Sequence, residues 1–446
     1  MVVGAMTEST NMAVAMGAVY VYRRTGNLWV QESILEADNQ NSNDFFGASV
    51  SIHGDTLVVG APNESSSQTV ITAVGDMDNQ NHAVRRYGAA YVYKRTNGTW
   101  ALEAYLKAPN ASAGDEFGNN VAIHGDTVVV GARYETSDET TITNGSGAST
   151  NAHGTLAQAG AAYVFKRIGN SWAQEAYLKP PNTTYGETFG WSVAIHADTV
   201  VVGAFNEMND HTTITNSNDN FGTAGAAYVF KRTGNSWAYE AYLKAPNLVD
   251  DQAMFGYAVA ISDNTTVVSA LLETNSKTGI TNGATPINDT AAQAAGAAFV
   301  FKRTGTDWAQ EAYLKAPNHQ GEQFGSAVAI DGNTIVVGAK KDANEQRTVT
   351  NGNTVTTNAN LPSSGAAYVF KRTGHNWAQQ AYLKAANANT NDEFGISVGV
   401  SANTVVVGAW AEGSDQNTIT NGTTANANNS AQPIPFSGAA YVYIRQ

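Results

Sequence analysis

The chain has no cysteine in its 446 residues. Disulfide frameworks and thiolate metal or redox chemistry are therefore excluded. It is poor in charge, at 14% Asp, Glu, Lys and Arg, against about 25% in an ordinary globular protein. What charge it has is acidic, 38 acids against 25 bases for a net −13, which argues against a nucleic-acid partner held through phosphates. No apolar run approaches the roughly 20 residues of a membrane helix, and no segment keeps a 3.6-residue period, so helical bundles and α/β repeats are excluded too. Met1 leads directly into the apolar run Val2-Val3-Gly4-Ala5, without the charged start of a signal peptide. What the chain does have is 42 glycines and 42% hydrophobic residues. That composition suits many short strands joined by polar turns.

Four strings recur in phase along the whole chain. G-A-[AV]-[YF]-V-[YF] begins at Gly17, Gly88, Gly160, Gly225, Gly296, Gly365 and Gly438, at spacings of 65 to 73 residues. Phe-Gly followed by alternating apolar residues begins at Phe46, Phe117, Phe189, Phe255, Phe324 and Phe394. V-V-[GS]-A ends at Ala5, Ala61, Ala132, Ala204, Ala270, Ala339 and Ala409, and a Trp-led string starts at Trp29, Trp100, Trp172, Trp237, Trp308 and Trp377. A fixed period of this length marks a repeat architecture. The Phe-Gly string alternates as a half-buried strand. The V-V-[GS]-A and G-A-x-Y-V strings are apolar on both sides, as in strands covered on both faces. The Trp string reads as a half-exposed outermost strand.

Short turns fix the topology. His124-Gly125-Asp126 joins the first strand to the second, and Lys166 to Asn170 joins the third to the fourth; Gly beside Asp or Asn is hairpin chemistry. A four-stranded up-and-down sheet repeated every 70 residues or so is a propeller blade. The predicted fold is all-β, a seven-bladed β-propeller of four-stranded antiparallel blades forming one nearly closed ring over residues 1–446. The blades fall at about 1–36, 37–107, 108–180, 181–245, 246–316, 317–385 and 386–446. The first blade lacks its first strand and the last its fourth, so the chain is read as a monomeric fragment of a longer protein.

The same strings resemble the FG-GAP repeat, and Gly60-Ala61-Pro62 even spells its second half. The chain is similar to the propeller of integrin α subunits, and more closely to bacterial secreted FG-GAP proteins whose blades also carry the Trp strand. The resemblance implies a non-catalytic, extracellular or cell-surface binding and adhesion module, whose partner is a protein or glycan on a cell surface or matrix. One departure matters. Integrin blades carry calcium between the first and second strands, where this chain has only three or four residues, too few to wrap such an ion. Those calcium sites are not carried over, and no cofactor is implied. Asp76, Asp78, Asn79 and Asn81, D-x-D-N-x-N in one long loop, form a weaker candidate calcium site without the Gly and terminal Glu of an EF-hand.

The second-to-third loops are long, polar and different in every blade, and long loops on a rigid scaffold are where binding usually resides. We call their end of the blades the top; the short basic third-to-fourth turns lie at the bottom. Three positions after each second strand stands an acid: Glu8, Glu64, Glu135, Glu207, Glu273, Asp342 and Glu412. With the second strand near the axis, these would ring the top mouth and attract a cation or basic partner; alternatively they accept backbone N–H groups in a turn. Asp44, Asp115, Glu187, Glu322 and Asp392 stand two residues before Phe-Gly. Directly after each second strand the residue varies. Arg133 with Tyr134, Phe205, Lys340 with Lys341, and Trp410 are the candidate partner-binding residues, because aromatic and basic groups dominate recognition surfaces. Trp191 is read as packing between blades. His53, His124 and His196 share one bottom turn position, and equivalent turns in different blades are expected to lie too far apart for a shared metal. Two T-[IV]-T-N stretches, at Thr140 to Asn144 and Thr418 to Asn421, are expected to add small hairpins. No Gly-x-Ser-x-Gly elbow, His-Glu-x-x-His helix or sialidase-type Asp-box appears. Two further readings stay open: a lectin-like or carbohydrate-active propeller, and a structural spacer in a larger secreted protein.

Overall fold

The computed structural model describes residues 1–9, 14–72, 86–147, 156–208, 224–246, 252–283, 291–292, 294–317, 321–353, 359–414, 416–422 and 437–445. Every regular element among them is a strand, and the strands form the seven blades of an all-β propeller. Blade 1 has three strands, Val2–Ala5, Ala18–Thr25 and Leu28–Leu35. Blade 2 runs Ser49–His53, Thr56–Ala61, Ala89–Thr96 and Thr99–Leu106; blade 3 runs Phe117–His124, Thr127–Ala132, Ala161–Ile168 and Ser171–Leu178. Blade 4 runs Ser192–His196, Thr199–Ala204, Ala226–Thr233 and Ser236–Leu243. Blade 5 runs Phe255–Ser262, Thr265–Ala270, Ala297–Thr304 and Asp307–Leu314; blade 6 runs Phe324–Asp331, Thr334–Ala339, Ala366–Thr373 and Asn376–Leu383. Blade 7 again has three strands, Phe394–Ser401, Thr404–Ala409 and Ala439–Ile444. Neighbouring strands pair antiparallel, as Ala132 with Ala161 and Val130 with Tyr163 in blade 3.

Two compact units divide the chain. The first is Met1–Glu207 with Tyr228–Tyr242, and the second includes Leu243–Gln446. Within each unit the Phe-Gly strand of one blade lies against the Phe-Gly strand of the next. The first strand is thus the innermost one, a correction to the expectation that the second strand lies nearest the axis. The cause is the seam between blades. In the first unit a Cβ on Gly131 would sit 2.1 Å from the carbonyl oxygen of Gly190 in the next blade. Gly160 would place one 2.0 Å from the oxygen of Phe189. Only glycine permits backbones to approach this closely, so the glycines of the repeat are the packing surface itself.

The core lies between sheets. In the first unit Val58, Val92 and Leu106 of blade 2 pack with Phe117, Val128 and Val130 of blade 3. In the second, Val300 and Leu314 of blade 5 pack with Phe324, Ile335 and Val337 of blade 6. Each Phe of the Phe-Gly pair is fully buried and meets the third-strand aromatics edge-on, with Phe117 at 5.3 Å from Tyr163 and 6.0 Å from Phe165. The outer edge departs from expectation. Thr143–Asn144 adds no hairpin; it pairs with Tyr177 and Ala176 as a fifth, outermost strand. Ile280–Asn282 and Thr350–Asn351 do the same in blades 5 and 6. The Trp residues are also more buried than an outermost strand suggests, because each indole reaches back to the preceding blade: the Nε1–H of Trp172 donates to Glu103 at 2.9 Å, and Arg167 lies 5.3 Å over the Trp172 ring.

Candidate functional site

The acids that follow the second strands do not face a mouth. Glu64, Glu135, Glu207, Glu273, Asp342 and Glu412 are all buried. In four blades the acid is paired with the lysine just past the fourth strand of its own blade: Glu64 with Lys107 at 2.7 Å, Glu135 with Lys179 at 3.1 Å, Glu273 with Lys315 at 2.7 Å and Asp342 with Lys384 at 3.3 Å. The lysine spends its other N–H groups on carbonyls, as Lys107 does on Ser66 at 2.7 Å and Gly88 at 2.6 Å. An asparagine from the incoming link completes the set, with the Nδ2 of Asn110 donating to Glu135 at 3.1 Å and that of Asn182 to Glu207 at 3.0 Å. A charge taken from water must be paired and hydrogen-bonded, and these are. The acidic ring is thereby corrected to a set of internal ties, one per blade, between second strand, fourth strand and link. Glu8 alone stays half-buried, accepting the Tyr20 hydroxyl at 2.8 Å.

The second set of acids lies beside the first. Asp115 accepts the Ser112 N–H at 2.7 Å with one oxygen, while the other is buried without a partner. Burial pushes its carboxyl up to about 8; the Ser112 N–H opposes the rise and the charge of Glu135 adds to it. Burial likewise lifts Asp44 to about 7, Glu187 to about 8 and Asp392 to about 6. In each case one acid is ionised against a lysine and its neighbour is pushed toward the protonated form.

At the bottom, the histidines overturn an expectation. The ring centroids of His53 and His124 are 4.5 Å apart, as are those of His124 and His196. They meet because the first strands are innermost and converge. The Nδ1 of His53 accepts the N–H of Gly125 at 3.2 Å, tying one blade's turn to the next. In the second unit Ser262 and Asp331 do the same for Gly332 at 3.1 Å and Ala402 at 2.6 Å. Among the described residues no group of three or more His, Asp or Glu is placed to hold a metal ion. The candidate calcium residues Asp76, Asp78, Asn79 and Asn81 lie outside the described residues.

The variable positions do assemble a surface in the first unit. Arg133 leaves blade 3 directly after its second strand and lies 4.7 Å over Trp191 of blade 4 and 4.8 Å over Tyr134. Trp191 in turn meets Phe205 edge-on at 4.5 Å. The Nε–H of Arg133 donates to Glu116 at 2.7 Å, and Arg86 reaches the same carboxylate at 3.3 Å. Asn119 fixes the spacing: its oxygen accepts the Arg133 N–H at 3.2 Å, and its Nδ2 donates to the Trp191 carbonyl at 3.0 Å. Guanidinium stacked on indole is the strongest cation–π pairing. Arg133, Tyr134 and Trp191 are half-buried, and Phe205 is buried beneath them. Sequence reasoning placed Arg133, Tyr134 and Phe205 at this end, set Trp191 aside as packing, and missed Glu116. The signal for Glu116 is its position before Phe-Gly, where the backbone is left-handed in every unit, as at Glu116 (φ 55°) and Glu393 (φ 52°).

The second unit repeats the pattern once. Trp410 follows its second strand as Arg133 does, is 46% exposed, and donates its Nε1–H to Glu393 at 2.7 Å. Lys340 is half-buried, and burial lowers its ammonium pKa against the pull of Glu393. Lys341 is exposed.

The sequence strings agree with a known family. Residues 29–93, 100–165, 172–230, 308–370 and 377–443 each match the FG-GAP repeat. Each match opens on the Trp strand of one blade and ends in the third strand of the next, so the repeat unit straddles the seam its glycines build. Blade 5 departs most from the pattern, with Ala253 where other blades have an acid and Ser269 where they have Gly. No curated protein matches the chain. Five matched segments covering most of the length, on blades whose seams are built from the motif's own glycines, place the chain in the FG-GAP repeat family.

Proposed function

We propose that this propeller is a non-catalytic, extracellular or cell-surface binding module, and that it engages a protein partner through the top-end surface of Arg133, Tyr134 and Trp191 over Phe205. The observation that carries the reading is the Arg133 stack. Its residues occupy positions that differ in every blade, yet a conserved type of tie, Asn119 to the next blade's backbone, holds them in register. A rigid aromatic and guanidinium cluster loses little entropy on binding and is the composition that dominates recognition hot spots. The buried acids favour a binding role over a hydrolytic one, since those that could form a carboxylate pair are engaged inside the blades. Lys340, Lys341 and Trp410 are the corresponding candidates in the second unit.

A lectin-like reading is favoured by one residue, Trp410, whose exposed ring is the kind of flat apolar face that stacks on a sugar. A glycan array and a panel of immobilised matrix proteins separate the two. Binding to matrix protein that weakens with salt supports the first reading; saturable sugar binding that is lost in Trp410→Ala supports the second. Absence of binding to either panel leaves the spacer reading.

A further inference from the structure

Blade 7 carries the markings of a strand it lacks. In blades 2 to 6 the third strand pairs on both sides; in blade 7 Ala439–Ile444 pairs only with Thr404–Ala409. Four groups around that edge are set for an absent neighbour. Glu412 is 1% exposed and accepts only Asn387 at 2.8 Å and Ser414 at 3.0 Å, with no cation beside it among the described residues. Its counterparts hold a fourth-strand lysine. Arg445 bonds Thr334, as its counterpart Arg372 bonds Thr265, but Arg372 lies 5.1 Å over the Trp377 ring, while Arg445 has a buried Nε without a partner. Gln380 stands where the preceding blades carry the carboxylate that takes the next blade's indole N–H, as Glu311 takes that of Trp377 at 3.0 Å; its Oε1 is buried and unpartnered. Finally, Gln416 bonds Thr418 and Thr420 as Gln346 bonds Thr348 and Thr350. Thr350–Asn351 pairs with the fourth strand of its blade, whereas Thr420 and Asn421 lie in no strand.

We infer that the free edge of Ala439–Ile444 is a docking site for an extended polypeptide segment of the pattern Trp-Ala-x-x-Ala-Tyr-Leu-Lys, bound by strand addition. The register follows from blade 6, where Trp377 stands opposite Arg372 and Leu383 opposite Ala367. The incoming Trp lies opposite Arg445 and gives its N–H to Gln380, the Leu lies opposite Ala440, and the Lys enters the pocket of Glu412. Charge complementarity selects lysine at the last position, since a buried carboxylate without a cation is costly. All six such segments in residues 1–446 already serve as the fourth strands of their own blades. The occupant is therefore a seventh strand, and not a folded second copy.

The probe is a capped synthetic peptide, Ser-Trp-Ala-Gln-Glu-Ala-Tyr-Leu-Lys, titrated into the whole chain by calorimetry, with amide exchange read at residues 439–444. Saturable binding, slower exchange at 439–444, and an at least tenfold loss when the peptide Lys is replaced by norleucine are expected. In Glu412→Gln the two peptides should bind alike. A peptide with Trp replaced by Ala, tested on the wild-type chain, reports the Arg445 and Gln380 contacts without perturbing the fold. No binding at millimolar peptide, binding indifferent to Lys and Trp, or edge amides already protected before peptide is added would each overturn the inference.

Discussion

The ammonium of Lys107 lies 2.7 Å from the carboxylate of Glu64, and neither side chain reaches water. This pair, repeated in four blades, joins the two ends of a sheet whose strands are otherwise held only through their neighbours. Removing one partner strands the other charge in a dry site. Lys107→Met is therefore expected to cost about 3–5 kcal/mol, and the double variant Glu64→Gln with Lys107→Met clearly less. Urea denaturation of both variants measures the difference; equal losses would assign the cost to packing.

The seam between blades predicts an asymmetry among glycines. Gly131→Ala drives a Cβ to 2.1 Å from a backbone oxygen that cannot swing away. The expected loss is at or above the upper end of the about 1–3 kcal/mol typical of overpacking. Gly169 sits in an open bottom turn at φ +65° with nothing within 4 Å of a new Cβ. Gly169→Ala should cost only the left-handed backbone term, about 1–2 kcal/mol. Thermal melts of the two variants, compared with the wild type, check the order.

Stability should depend on pH in an unusual direction. Asp44, Asp115 and Glu187 have folded pKa values raised to about 7, 8 and 8, from model values of 3.8, 3.8 and 4.5. Between those limits the folded chain binds more protons than the unfolded one. The stability these groups contribute is thus complete below about pH 4 and is lost as pH rises through about 7 to 8. Denaturant midpoints should fall from pH 5 to pH 9, and Asp115→Asn should flatten that slope. A midpoint that climbs over this range would contradict the assignment.

The blade count, the short first and last blades and the strand order are legible in the sequence because each strand carries a string whose side-chain alternation reports which faces are covered. What the strings do not report is the direction across blades. Glu64 and Lys107 are 43 residues apart and share no motif, so the acid reads as a ring when it is half of an internal pair. His53 and His124 read as distant for the same reason; only the convergence of the first strands brings them to 4.5 Å. Arg133 was recognisable as variable and basic, but its stack depends on Trp191 in the following blade, and a contact across a seam leaves no local signature. Asp76 to Asn81, the candidate calcium stretch, falls outside the described residues.

The central claim is that the top-end cluster around Arg133 is the contact surface. Its most direct test is binding of the wild type, Arg133→Ala and Trp191→Ala to immobilised matrix proteins, with His53→Ala at the opposite end as control and melting temperatures recorded for all. Saturable wild-type binding that drops at least tenfold in both cluster variants, with the control unaffected and the cluster variants still folded, is the predicted result. Folded cluster variants that bind as tightly as the wild type would contradict it.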